Sequence, residues 1–182
     1  MKKLWLSCVL AWVLACSASA ADAASRLDFA PPVPGQRDVI ARVLGDAFLR
    51  GVGVFPAETL VAAVDLNGDR SEDMVAVQKG FCSNHACTFH FLVHEPSGEW
   101  REAAAVESWA IPCVLDGAGA TMRDLVIFDH LTDDCLSCSP PKPVRLAWRQ
   151  RAGAAGGYAA IGPVPKDEAT VFAPSWCWSG QK

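Results

Sequence analysis

The chain has no excess of positive charge. Its 16 lysines and arginines are outnumbered by 20 aspartates and glutamates, for a net charge of −4. Nucleic-acid phosphates demand clustered Lys and Arg, so nucleic acid is not an expected partner. Beyond the first twenty residues no apolar run is long enough for a membrane helix. Also missing are G-x-S-x-G, H-E-x-x-H (His94-Glu95 runs straight into Pro96) and a phosphate-binding glycine loop. No repeat period is visible. These gaps exclude most motif-borne enzyme classes, and the chain is read as leaning away from catalysis.

What is present begins with an export signal over residues 1–20. Lys2 and Lys3 precede the apolar run Leu4–Ala15, and Ala18-Ser19-Ala20 is a small-residue cleavage pattern. A second reading stands beside it: Val13-Leu14-Ala15-Cys16 is similar to a lipoprotein box, which makes Cys16 a lipid anchor. The first reading predicts a periplasmic or secreted protein, the second an outer-membrane lipoprotein. Cleavage at Ala20 leaves 14 basic and 20 acidic side chains, a net charge of −6.

Six cysteines follow the signal: Cys82, Cys87, Cys113, Cys135, Cys138 and Cys177. An even set in an oxidising compartment predicts disulfides. Proximity favours Cys82–Cys87 and Cys135–Cys138, leaving Cys113–Cys177 to tie the tail to the middle. Cys135-Leu136-Ser137-Cys138 is also a CxxC motif. Asp133 and Asp134 before it raise a thiol pKa, and Ser139-Pro140-Pro141 after it makes a poor helix, so a structural bridge is favoured over a redox pair.

Residues 21–35, small and then rich in proline, are expected to be a linker, and 36–182 a single domain. Gln36–Arg50 carries Val39, Ile40, Val43, Leu44, Ala47 and Phe48 at helical spacing, stopped by Gly51 and Gly53. Strands are predicted at Leu60–Val64, Met74–Gln78, Thr88–His94, Trp100–Val106, Asp124–Phe128, Val144–Arg149 and Tyr158–Ile161. In Thr88–His94, Phe89, Phe91 and Val93 share one face, with His90, Leu92 and His94 on the other. The expected fold is α+β: one N-terminal helix packed on a mainly antiparallel β-sheet, stabilised by disulfides.

Between the first two strands lies Asp65-Leu66-Asn67-Gly68-Asp69-Arg70-Ser71-Glu72-Asp73. Side-chain oxygens stand at positions one, three, five and nine, and the Ser71 carbonyl at position seven adds another, a set suited to Ca²⁺. A strand follows, and position twelve is Ala76 where an EF-hand has glutamate. The stretch is similar to the calcium loop of FG-GAP (VCBS-type, integrin-propeller-like) repeats, D-x-[DN]-G-D-G-x-x-D, matched by Asp65, Asn67, Asp69 and Asp73. Arg70 departs from that pattern at its second glycine. More loosely, residues 58–162 resemble a group of small exported bacterial proteins that follow one such loop with a Cys-x-x-x-x-Cys turn, here Cys82–Cys87, and a later strand, here Arg123-Asp124-Leu125-Val126. The resemblance implies a fold, export and Asp65, Asn67, Asp69, Ser71 and Asp73 as Ca²⁺ ligands, but no activity. An acidic turn capped by its own aspartates is the other reading of the same residues.

His85, His90 and His94 lie near Cys82 and Cys87, yet His90 and His94 are roughly 13 Å apart on a straight strand and cannot share an ion. They are expected on the solvent face. Of Trp100, Trp109, Trp148, Trp176 and Trp178, most are expected in the core. The leading functional expectation is a non-catalytic exported domain that binds another envelope or extracellular protein, as an inhibitor or immunity protein does. The alternatives are a Ca²⁺-dependent structural module and a thiol-redox protein using Cys135 and Cys138.

Overall fold

A computed structural model describes residues 24–25, 27–52, 55–56, 58–79, 82, 86–116, 121–130, 140–151, 154–165 and 169. Their strands form two principal antiparallel sheets, where one was expected. Strands β4 (Thr59–Val64), β5 (Asp73–Gln78), β6 (Cys87–His94) and β7 (Trp100–Ser108) make a four-stranded meander in chain order. The five-stranded sheet runs β1 (Ala24–Ser25), β8 (Cys113–Leu115), β9 (Leu125–Asp129), β10 (Lys142–Arg151) and β11 (Ala154–Pro163). A two-residue pair, β2 (Gly51–Val52) and β3 (Phe55–Pro56), stands apart.

The chain changes sheets after β7, at a corner made by a buried serine. Ser108 Oγ donates to the Ala110 carbonyl at 2.6 Å and accepts the Phe128 N–H at 3.0 Å. The Trp109 N–H then reaches the Phe128 carbonyl at 2.8 Å. Buried backbone must be paired, and this hydroxyl pairs it where no ladder runs.

The principal core lies between the sheets. Alternate residues Val75 and Val77 of β5 and Phe89, Phe91 and Val93 of β6 meet Leu125 and Ile127 of β9 and Val144 and Leu146 of β10. That is the face predicted for Phe89, Phe91 and Val93, and a strand's two-residue period produces it. The opposite face of the meander, through Val61, Met74, Ala76 and Leu92, packs with Ile40, Val39, Val43, Leu44, Phe48 and Leu49 of the helices. β5 is therefore covered on both sides and buried without a break from Asp73 to Val77. β9 is in the same position, with Val126 and Phe128 under Ala110, Cys113, Leu115 and Val164.

The helical segment is two helices, α1 (Pro34–Leu44) and α2 (Asp46–Arg50), separated at Gly45 with φ +88°. Pro34 opens α1 where a missing N–H costs nothing, and Gln36 Oε1 accepts the Val33 N–H at 3.0 Å. Described residues of the expected linker, 21–35, also make tertiary contacts. Within it β1 pairs with β8, Leu27 is 3% exposed in the core, and Ala30 exchanges two backbone hydrogen bonds with Val61 at 2.9 and 2.8 Å. Composition marks proline and small residues as a connector, but tertiary pairing holds this stretch against both sheets. The single helix on a single sheet is thus replaced by a two-sheet sandwich with two short helices on one outer face.

Candidate functional site

The acidic turn joins β4 to β5 and is closed by its own side chains. Asp65 accepts the Gly68 N–H at 2.6 Å through Oδ1 and the Arg70 N–H at 3.2 Å through Oδ2. Asn67 Oδ1 accepts the Asp69 N–H at 3.0 Å, and Asp69 Oδ1 accepts the Ser71 N–H at 2.6 Å. These nested turns are what Asp and Asn at two-residue spacing favour. The Ser71 N–H, and then the Asn67 amide 2.9 Å away, hold the exposed Asp69 carboxyl below its ordinary value. Arg70 has φ +70°, and Gly68 +77°; among the described residues Arg70 alone enters the positive range without being glycine. An L-residue there costs about 1–2 kcal/mol.

Asp73, the ninth residue, behaves differently. It is fully buried, and its two oxygens accept the Leu66 N–H and the His94 N–H, each at 2.8 Å. One carboxylate therefore joins the end of β4 to the end of β6 across β5. Burial raises its pKa, and the two amide bonds offset part of that rise.

Arg123 completes the cluster. Its Nη2 lies 3.1 Å from Asp65 Oδ2 and its Nη1 2.6 Å from Asp116 Oδ1. Its backbone N–H donates to the Leu66 carbonyl at 2.7 Å, and its carbonyl accepts the Tyr158 hydroxyl at 2.8 Å. Burial pushes the Tyr158 phenol well up, so it stays a donor. Its ring also meets Trp148 edge-on, centroids 5.2 Å apart. Asp124, the next residue, accepts two hydrogen bonds from Arg145, at 3.1 and 3.0 Å.

The oxygens expected as Ca²⁺ ligands have partners within the protein. The first ligand oxygen is shared with a guanidinium, and the ninth residue turns both oxygens onto backbone amides. Position twelve, Ala76, is buried beneath the helices. Among the described residues no group of three or more His, Cys, Asp or Glu side chains is placed to hold a metal. Asp65, Asn67, Asp69 and Asp73 are brought together by the fold, and each accepts at least one backbone N–H. Ser71 contributes its N–H.

Cys82 and Cys87 form the expected bridge, with Cα atoms 4.1 Å apart. Cys113 is disulfide-bonded to a residue outside the described set, and Cys135, Cys138 and Cys177 lie outside it as well. So do His85, Trp176 and Trp178. His90 pairs with Glu102, Nδ1 to Oε1 at 2.7 Å, and meets Phe48 edge-on. His94 stacks on Trp100, with centroids 4.9 Å apart and planes at 22°. Both are partly buried, where the solvent face was expected. The sequence placed Arg123 and Tyr158 in strand segments but gave neither them nor Asp116 a part in the site. The signal available was slight: Tyr158 is the chain's single tyrosine, and Arg123 stands two residues before the apolar run Leu125–Phe128.

No protein-family model matches the chain, and neither a known protein nor a solved structure matches it closely.

Proposed function

We propose that this chain is an exported, non-catalytic, disulfide-stabilised domain whose work is to bind another envelope or extracellular protein in the manner of an inhibitor or immunity protein. The observation that carries the reading is how the polar side chains of the candidate site are used. Asp65, Asp73, Arg123, Asp116 and Tyr158 each hold backbone or one another, fastening the loop and the two sheets. Groups engaged in this way make a stiff scaffold, and a stiff scaffold loses little conformational entropy when it binds. The Cys82–Cys87 bridge adds to that stiffness beside β6, and bridges of this kind persist in the oxidising compartments the signal sequence points to.

The experiment is a pull-down from envelope extract with the immobilised mature chain, followed by titration of whatever is retained. Saturable binding, competed by free folded chain and abolished by heat-unfolded chain, is expected. Retention that neither saturates nor responds to competitor counts against the proposal.

A further inference from the structure

We propose that Arg123 is the resident cation of the Asp65–Asp73 loop, so that the loop is closed without a divalent metal ion. The loop gathers Asp65, Asp69, Glu72 and Asp73 within nine residues, against Arg70 alone. A turn of that charge repels itself unless a cation sits against it. Its backbone turns tightly, with Gly68 and Arg70 both at positive φ. The position beside its first carboxylate is filled from elsewhere in the fold, by the Arg123 guanidinium 3.1 Å from Asp65 Oδ2.

Arg123 is not a surface side chain that happens to reach the loop. Leu66 and Tyr158 pin its main chain on either side, at 2.7 and 2.8 Å. The other arm of its fork is held at 2.6 Å by Asp116 Oδ1, which also accepts the Ser25 hydroxyl at 3.2 Å. The side chain is 19% exposed and that of Asp65 21%, so solvent and salt screen the pair less than they would a surface bridge. A guanidinium keeps its charge at any physiological pH, and its planar fork suits two carboxylates at once. A divalent ion on Asp65 Oδ2 would stand beside that fixed positive charge and be repelled by it. The same side chain joins the loop of the four-stranded sheet to Asp116, just after β8 of the five-stranded one.

The test compares melting temperatures of the mature chain in excess EDTA and in millimolar Ca²⁺. The wild type is expected to melt at the same temperature in both; a rise of about 5 °C or more with Ca²⁺ overturns the proposal. Arg123→Gln is expected to melt about 5–10 °C lower in EDTA and to recover part of that loss in Ca²⁺, because the vacated carboxylate then accepts a metal ion. A variant that melts like the wild type, or that melts lower and ignores Ca²⁺, overturns it too. Should Arg123→Gln give no cooperative transition, calorimetric titration of the wild type with Ca²⁺ decides: a flat trace supports the proposal and a saturable heat sinks it.

Discussion

The β4–β5 and β6–β7 hairpins of the four-stranded sheet turn at the same end and are held by opposite means. Between β6 and β7 the turn is closed by main chain: the Glu95 N–H reaches Glu99 O and the Gly98 N–H reaches Glu95 O, each at 2.8 Å, with Gly98 at φ +86°. Between β4 and β5 the turn is closed by side chains, with Asp65, Asn67, Asp69 and Asp73 all accepting backbone N–H groups. A backbone-closed turn tolerates almost any side chain that suits its φ. A side-chain-closed turn depends on the identity of each residue. The comparison also separates two kinds of aspartate, since Asp69 is exposed with a lowered pKa and Asp73 buried with a raised one.

The largest effect should come from Asp73→Ala. It leaves the Leu66 and His94 amides without their acceptor and is expected to cost about 2–4 kcal/mol in urea unfolding. Asp73→Asn, which keeps one acceptor, isolates the charge. Burial places the Asp73 pKa in the folded chain above its ordinary 3.8, so the folded state takes up the proton first as pH falls. Wild type should then gain stability relative to Asp73→Asn between the folded pKa and about 3.8, with no change around pH 7. A relative loss over that window would show that the amide bonds, not burial, dominate. Next in size is the bridge that anchors the start of β6. Replacing Cys82 and Cys87 together by serine closes no loop in the unfolded chain and should cost about 2 kcal/mol. Arg70→Gly reverses the sign: removing a side chain from left-handed backbone should stabilise the loop by about 1 kcal/mol, once the freer unfolded chain is set against it. The smallest effect belongs to the other hairpin, where Ser97→Ala should stay within about 0.5 kcal/mol. A large loss there would erase the contrast between the turns.

Much of this was legible from local pattern. The strand cores at 60–64, 74–78, 88–94, 125–128 and 144–149 follow from alternation or short apolar runs, and the Cys82–Cys87 bridge from spacing in an exported chain. Strands buried on both faces gave up their period, yet β5 and β9 still read as strands because turn residues bound them. What local pattern could not supply was partition. Nothing in Glu107 or Ser108 announces that the chain leaves one sheet for another, because that corner depends on Phe128, twenty residues on. The stretch 24–30 carries no periodic signal, since its pairing partners, Val61, Val114 and Leu115, lie far along the chain.

The candidate site divides along the same line. By itself the sequence determined that an acidic turn of Asp and Asn at two-residue spacing joins two strands, and that Arg70 sits where glycine is usual. Side chains that bond backbone two or three residues away are a local matter, settled by spacing. Only the tertiary structure brought a second cation to that turn. Arg123 lies 58 positions beyond Asp65 and reaches it, with Asp116 on its other arm, because the two sheets pack face to face. A short-range code fixed the acceptors of the loop, and long-range packing chose the cation.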